Sequence, residues 1–529
     1  MPGRFVVRPH RHLTTILVTA LTTAVTTMLA AGCTVGPSSR PGLIVAGSAA
    51  SGAGVARPTP AAGLPPLDPT APGAINWSDC TDDTRQRLGT LAPSTSMPYQ
   101  CAQLAAPLDP AGGPDQGAVR IQLLKVGTGA APLLVVNDLD GLPGTLYAAR
   151  LASQLPPEVL QRFSLIGMDR RGTGASDGVR CVPQSDRSAL LGYDPANTDL
   201  SDLLAAGTDA SDQCVLDLGG RQAALNTWNT ADDIEAIRQQ LGVAHLNAIG
   251  LGEGSRVLTG YADRFPAQAG RLVLDGSPDP TLGSADLAAS QAASAESAFD
   301  AFAAACVSAH CPLGADPRGT LTQLVATLSQ QPATTPDGLR ITGGTALRAV
   351  LIGLADRTQW PALTQAIATA STGDVTGLAA LIRPVLAGSP YDPAGLDGQL
   401  ASGCNDQPDR LTPAQVSAAA KNLTGKNPLF GGVLADRLLW CAPWPVITRP
   451  LPKPTAAGAP TVLVISTAND PETPQSGTER TAQELVSSVL VSWQGTGHGA
   501  LGQSACATSV ATRFLVDGQI PPSLTACPP

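Results

Sequence analysis

Residues 246–265 carry the feature that most restricts what this chain can fold into. Leu246-Asn-Ala-Ile249 is a short apolar β-run, Gly250-Leu-Gly252-Glu-Gly254 turns sharply, and a helical segment runs on to Phe265. A strand that enters a helix through so few residues has no room for side chains inside the bend. Small residues two before and two after position 252 meet that need, and Gly252 can take the positive φ that such a turn imposes.

The surrounding segments repeat the alternation of strand and helix. Ala118–Val126 alternates like a strand with one wet face, while Pro132–Val136 and Phe163–Met168 are short apolar runs suited to buried parallel strands. A helix is expected from Thr230 to Leu241, with Ile234, Ile237 and Leu241 on one face and Thr230 or Asp232 as cap. Arg271–Leu274 is the next strand. Strands separated by helices at this spacing predict a mostly parallel α/β sheet with helices on both faces. The pattern breaks near residue 281. Residues 282–455 read as mainly helical and hold Trp360, Trp440 and Trp444. It resumes with strand Thr461–Ile465, a helix over about 478–487, and strand Val489–Trp493. The expected organisation is therefore a core over 77–281 and 456–529, with a helical cap over 282–455 inserted before the last two strands.

The N-terminus belongs to export and not to the fold. Arg4, Arg8 and Arg11 precede an apolar stretch from Leu13 to Ala30, and Leu29-Ala-Ala-Gly-Cys33 follows. This resembles a bacterial lipobox, so residues 1–32 are expected to be a lipoprotein signal and Cys33 the lipidation site. Plain secretion is the alternative, since Ala30 sits where leucine is commoner. A Pro/Gly/Ala-rich stretch over 33–76 reads as a tether. The expected location is extracytoplasmic, on the membrane through a lipid anchor.

Eleven cysteines fit an oxidising compartment. With Cys33 set aside ten remain, and the simplest pairing joins neighbours in order: Cys80 with Cys101, Cys181 with Cys214, Cys306 with Cys311, Cys404 with Cys441, and Cys506 with Cys527. None has metal-ligand spacing, so neither a metal nor another cofactor is expected. The net charge of −9 comes without a Lys/Arg block, which argues against a nucleic-acid partner. Oligomeric state is not legible.

The chemistry-bearing positions follow from the turn. In an α/β-hydrolase fold a strand–turn–helix of this kind is the nucleophile elbow, and its central residue is the nucleophile. That position is Gly252, which has no side chain to attack with. The one GxSxG match, Gly174-Ala-Ser176-Asp-Gly178, lacks the context: Asp169–Thr173 separates it from the strand, and Val179–Pro183 does not open a helix. Ser255 lies too deep in the helix to substitute. Asp470 follows strand 461–465 and His498 follows strand 489–493, in the chain order nucleophile, acid, histidine. Among five histidines, His498 is the one placed to act as a base. Oxyanion donors are expected from the backbone of Glu253 and of Leu139, within Asn137-Asp-Leu-Asp-Gly-Leu-Pro-Gly144.

These motifs, with Asp169–Ser176, Tyr261–Pro266, Arg271–Pro280, Cys404–Asp406, Cys441–Pro445, Asp470–Pro474 and Gly497–Ala500, resemble the secreted tripeptidyl-aminopeptidase-like (TAP-like) hydrolases of actinobacteria, relatives of proline iminopeptidases. The resemblance implies a serine peptidase acting on peptide N-termini, with the cap selecting substrate. Two departures stand out: the family's Gly-x-Ser-Tyr-Gly is Gly250-Leu-Gly252-Glu-Gly254, and its Asn-Gly-Gly-Pro-Gly is Asn137-Asp-Leu-Asp-Gly141. Three functions are open on this reading. One is an impaired or inactive relative that binds a peptide, a small ester or a partner. Another is a working peptidase or esterase using His498–Asp470 with water or an unusual serine. The third is an envelope structural protein.

Overall fold

A computed structural model describes residues 63–529, apart from positions 74, 95–96, 113–115, 140, 408 and 446–450. The signal, Cys33 and most of the tether lie outside the described residues.

Twelve strands occur in this order: β1 Ser78–Asp79, β2 Gln100–Pro107, β3 Ala118–Val126, β4 Ala131–Val136, β5 Phe163–Met168, β6 Leu246–Leu251, β7 Ala269–Asp275, β8 Ala333–Thr334, β9 Arg340–Ile341, β10 Val462–Asn469, β11 Ser488–Thr496 and β12 Thr525–Cys527. Ten of them form one sheet in the order β1-β2-β3-β5-β4-β6-β7-β10-β11-β12. The first three join antiparallel, β3 meets β5 antiparallel, and every pairing from β5 onward is parallel.

The central strands are mostly apolar because both faces are covered. In β4, Leu133 and Val135 pack on one side and Leu134 and Val136 on the other. Helices Gly144–Ala152 and Ala505–Asp517 cover the first face, and Thr227–Leu241 and Glu253–Arg264 cover the second. Successive side chains of a strand point to opposite faces, so uninterrupted burial along β4 and β6 requires this two-sided cover.

Three local expectations change. The helix over 227–241 is capped by Asn226, whose side chain accepts from Asn229 N, so it begins before Thr230 and uses neither Thr230 nor Asp232 as cap. Three strands follow the cap, because three residues near the C-terminus add β12 beside β11. The helical layer also extends beyond 282–455. Helices Gln184–Gly192 and Ser201–Leu218 share one apolar cluster with the cap helices, through Leu190, Leu203 and Ala210 against Leu347, Phe430 and Leu439. Within the cap, β8 and β9 form a small hairpin among helices.

The five cysteine pairs that are neighbours in sequence lie at disulfide distance. One closes the N-terminal strand β2 onto the segment before it, and one fastens β12 to the last helix. Cys181–Cys214 and Cys404–Cys441 brace the helical layer.

Candidate active site

The carboxyl ends of β4, β6, β7, β10 and β11 converge at one edge of the sheet, where open α/β sheets hold their ligands. Gly252 leaves β6 with φ +55° and ψ −117° and opens the helix Glu253–Arg264. The bend tolerates only small neighbours. A Cβ at Gly250 would lie 2.8 Å from Ser255 Cα, and one at Gly254 would overlap the carbonyl of Val136.

A Cβ at Gly252 would overlap Asp138 Oδ1 and come within 2.7 Å of Asp138 Cγ. The aspartate that follows β4 thus fills the volume where a nucleophile's side chain would stand. Its Oδ1 accepts the Glu253 N–H at 2.6 Å, the bond that an oxyanion would otherwise receive. Its Oδ2 lies 2.8 Å from His498 Nε2. On the other side of the ring, His498 Nδ1 is 3.0 Å from Asp470 Oδ1. Asp470 is fully buried and also accepts from the Glu472 and Thr473 amides, the Thr473 hydroxyl and the Gly499 amide.

The imidazole therefore stands between two carboxylates, and ionised carboxylates only accept hydrogen bonds. Both ring nitrogens are donors, which makes the ring an imidazolium. Burial works against that charge, but Asp470 and then Asp138 outweigh it and hold the His498 pKa well above the ordinary imidazole value. Burial likewise opposes the charge on Asp470, and the imidazolium with its hydrogen bonds keeps it below the usual carboxylate range. Asp275, at the end of β7, accepts from the Ala500 and Leu501 amides at 2.8 Å each and so fixes the loop bearing His498. Burial pushes its pKa up to about 6, against the pull of those two amides. From the cap, the Ala355 carbonyl accepts the His498 backbone N–H at 2.7 Å.

The two serines weighed as nucleophiles in the sequence, Ser176 and Ser255, are committed elsewhere. Ser176 Oγ donates to Asp169 O and accepts from Gln122 N, each at 2.7 Å, inside a loop knit by Asp169 and Arg171. Asp169 accepts the Thr145 and Ala175 amides, and Arg171 forms a buried pair with Asp233. Ser255 Oγ donates to Gly250 O at 2.9 Å. His245 pairs with Asp68 at 3.3 Å, and His310 stands at a positive φ between two paired cysteines. Of the expected site, Gly252, Glu253, Asp470 and His498 come together, and Leu139 lines the cavities beside them. Asp138 is the residue that sequence reasoning left without a role. The signal was present in the paired departures: the loop after β4 carries an acid in the same chain whose elbow carries a glycine.

A cavity of about 380 Å³ opens from Asp138 beneath the cap. Asp138, Glu253, Asp263, Asp279, Asp406 and Glu472 line it, against the arginines Arg256 and Arg437. Its balance is acidic. Gln399, Leu400 and Gly403, from a π-helical stretch over Gln399–Gly403, complete one wall, and the Cys404–Cys441 pair stands beside them. Among the described residues, no group of His, Cys, Asp and Glu is assembled to hold a metal ion.

Comparison with known proteins agrees with this geometry. The model for the alpha/beta hydrolase fold matches residues 138–346, and the model described as TAP-like protein matches residues 427–527. Serine protease Hip1 of Mycobacterium tuberculosis is 28% identical over 482 residues, 86% of this chain and 91% of that protein. Carboxylesterase B of the same species is 28% identical over 503 residues, covering 89% and 93%. Tripeptidyl aminopeptidase of Streptomyces lividans is 25% identical over 490 residues, 87% of each chain. With these matches spanning core, cap and C-terminal strands, the chain carries the α/β-hydrolase fold with a TAP-like C-terminal part and is similar to these hydrolases over most of its length.

Proposed function

We propose that this chain is an exported, lipid-anchored TAP-like protein that has lost serine-hydrolase catalysis and holds a peptide in the inherited cleft. The observation that carries this reading is the Asp138 carboxylate, which occupies the space beside Gly252 and takes both the Glu253 amide and His498 Nε2. Three requirements of acyl transfer fail together. Position 252 offers no nucleophile, the oxyanion donor is already engaged, and the histidine has no free lone pair. Losing the nucleophile of such a triad costs on the order of 10⁶ in kcat. Activation of water by His498 meets the same obstacle, since a general base must be unprotonated at the atom that takes the proton.

The acidic cavity supports a ligand with a cationic group, such as the free amino terminus of a peptide. The names of two relatives, a serine protease and a tripeptidyl aminopeptidase, point to the same ligand class. The lipobox ending at Cys33 and the five cysteine pairs support export. Carriage of a lipid is read by mass spectrometry of the native protein against Cys33→Ala.

The test of lost catalysis is a fluorophosphonate probe together with aminoacyl and tripeptidyl amide substrates. The mature protein should neither label nor turn over. Gly252→Ser alone should also stay unlabelled, because its Cβ overlaps Asp138. Gly252→Ser combined with Asp138→Gly should label. Turnover by the unaltered protein that disappears with His498→Ala would overturn the reading.

A further inference from the structure

The base of the sheet, where the parallel strands begin, lies at the opposite edge from the site. Residues 64–71, the described end of the expected tether, are bonded to the body there. Thr70 N donates to Ala130 O and Ala71 N to Leu241 O, each at 2.9 Å. Asp68 accepts the His245 amide at 3.1 Å, and Arg271 Nε donates to Pro65 O at 3.4 Å. Leu64 and Leu67 pack against the apolar cluster of the first sheet face. The partners Ala130, His245 and Arg271 stand just before or near the start of β4, β6 and β7. The chain leading from Cys33 thus joins the body at the base.

Arg271 also ties this entry point to the C-terminal loop. Its Nη1 donates to Leu515 O at 2.6 Å and to Val516 O at 3.1 Å. A Cβ at Gly518 would lie 3.1 Å from its Nη2. Beyond Gly518 the loop displays Ile520, 41% exposed, and Leu524, 71% exposed, with Val486 before the start of β11 at 43%. The Leu524 amide donates to Leu490 O, which keeps the loop at the beginning of β11. Leu524 has φ +62°, a conformation that bulky residues seldom adopt, and burial of its side chain does not account for it. Among the described residues, the other exposed large apolar side chains lie on helix Ser201–Leu218 or within 282–455, Leu216 and Tyr391 foremost. The exposed charges that act on Arg271, Arg162 and Asp517, are of opposite sign.

We propose that this corner rests on the lipid surface that holds the Cys33 anchor, with Ile520 and Leu524 entering the headgroup region and the cleft facing away from the membrane. The inference rests on the lipid anchoring proposed above and adds which face meets the lipid. The occupant follows from where the chain enters: the segment from Cys33 reaches the body beside Arg271, and Arg271 holds the loop that displays the apolar side chains. An anchored body meets its membrane at high effective concentration, so a contact of few apolar side chains suffices. With charges of both signs beside it, the contact is apolar and persists in salt.

The test uses the native lipidated, disulfide-intact protein on vesicles of phosphatidylethanolamine and phosphatidylglycerol in equal parts. Flotation with the vesicles that is lost with Cys33→Ala reads the anchor alone. Hydrogen exchange reads the contact: amides of 518–525 should exchange slower by about threefold or more on vesicles, with or without added salt, while those of helix Ser201–Leu218 stay unchanged. Ile520→Asp/Leu524→Asp should still float yet lose that protection. A nitroxide on Ser523→Cys should collide more with oxygen and less with a water-soluble nickel chelate once vesicles are present, whereas one on Leu216→Cys should remain in water. If these variants do not fold, hydrogen exchange on the unaltered protein decides. Flotation without slowed exchange at 518–525 would overturn the proposal and leave the anchor standing, and absence of flotation would overturn both. Protection of 518–525 that is already present without vesicles, or that rises with protein concentration, would assign the face to the chain itself or to a second copy and overturn the proposal. So would protection of the cap helices on vesicles, which would set the cleft against the membrane.

Discussion

Replacing Asp138 by asparagine removes one charge from the centre of the site and leaves its shape nearly unchanged. The Glu253 N–H keeps an oxygen to donate to, so the measured effect isolates the carboxylate–imidazolium attraction. At 2.8 Å that attraction is about 6 kcal/mol gross for an effective permittivity near 20. Both groups surrender hydration on burial, and the Asp138 side chain retains 15% exposure. A net of roughly 1.5–3 kcal/mol remains, so removing the charge of Asp138 lowers the His498 pKa. The sign of the pH dependence is fixed. A histidine whose folded pKa is raised stabilises fully below its unfolded value, about 6.5, and loses that contribution as pH rises through the folded value. The stability gap between the natural protein and Asp138→Asn should therefore be widest near pH 6 and close at alkaline pH. Asp470 works in the other direction, contributing above its unfolded pKa and losing the contribution as pH falls through its lowered one. Ring-¹⁵N histidine spectra give a direct assay, because His245, His310 and His498 alone follow residue 32. His498 should show two protonated ring nitrogens at neutral pH, and its titration should move down in the variant. Titration near 6.5 in the natural protein, or an unmoved titration in Asp138→Asn, would refute the reasoning.

Two further outcomes follow from contacts outside that network. Ser176→Ala should cost about 2–4 kcal/mol in denaturant unfolding, because it strands the buried Gln122 N–H and Asp169 carbonyl, and it should leave fluorophosphonate labelling of the Gly252→Ser/Asp138→Gly variant unchanged. Cys404→Ser/Cys441→Ser opens a link across a sequence separation of 37 and should lower stability by about 3–4 kcal/mol by thermal or denaturant melts. Both cysteines line the larger cavity, so peptide affinity measured by calorimetry should fall with it.

The parts of the molecule that were legible in sequence are those written in local pattern. The apolar runs 132–136, 163–168 and 246–249 lie within β4, β5 and β6 because both faces of those strands are covered, and their polar residues, Ser164 and Asn247, each hydrogen-bond a backbone carbonyl. The glycine turn stood out because backbone geometry alone demands small residues at 250, 252 and 254. What escaped depends on tertiary neighbours. Strand β2 and the three-residue β12 take their conformation from pairing with β3 and β11 and have little signal of their own. The recruitment of residues 184–218 into the cap layer is equally invisible, since an amphipathic helix does not state which surface it will meet. Asp138 escaped for a related reason. It precedes Gly252 by over a hundred residues, and only the parallel pairing of β4 with β6 brings the two loops side by side.

That shared volume has a historical consequence. A serine at 252 and the Asp138 carboxylate in its present position contend for one volume, so each substitution alters what the other is worth. On the proposed reading, a serine placed at the elbow alone meets a space already taken and brings no function that selection could retain. The way back runs first through the loop after β4, by a change that gains nothing until a serine arrives. The pair acts as a ratchet: once the carboxylate is seated, its bonds to the Glu253 amide and His498 hold it there together with the crowding at 252.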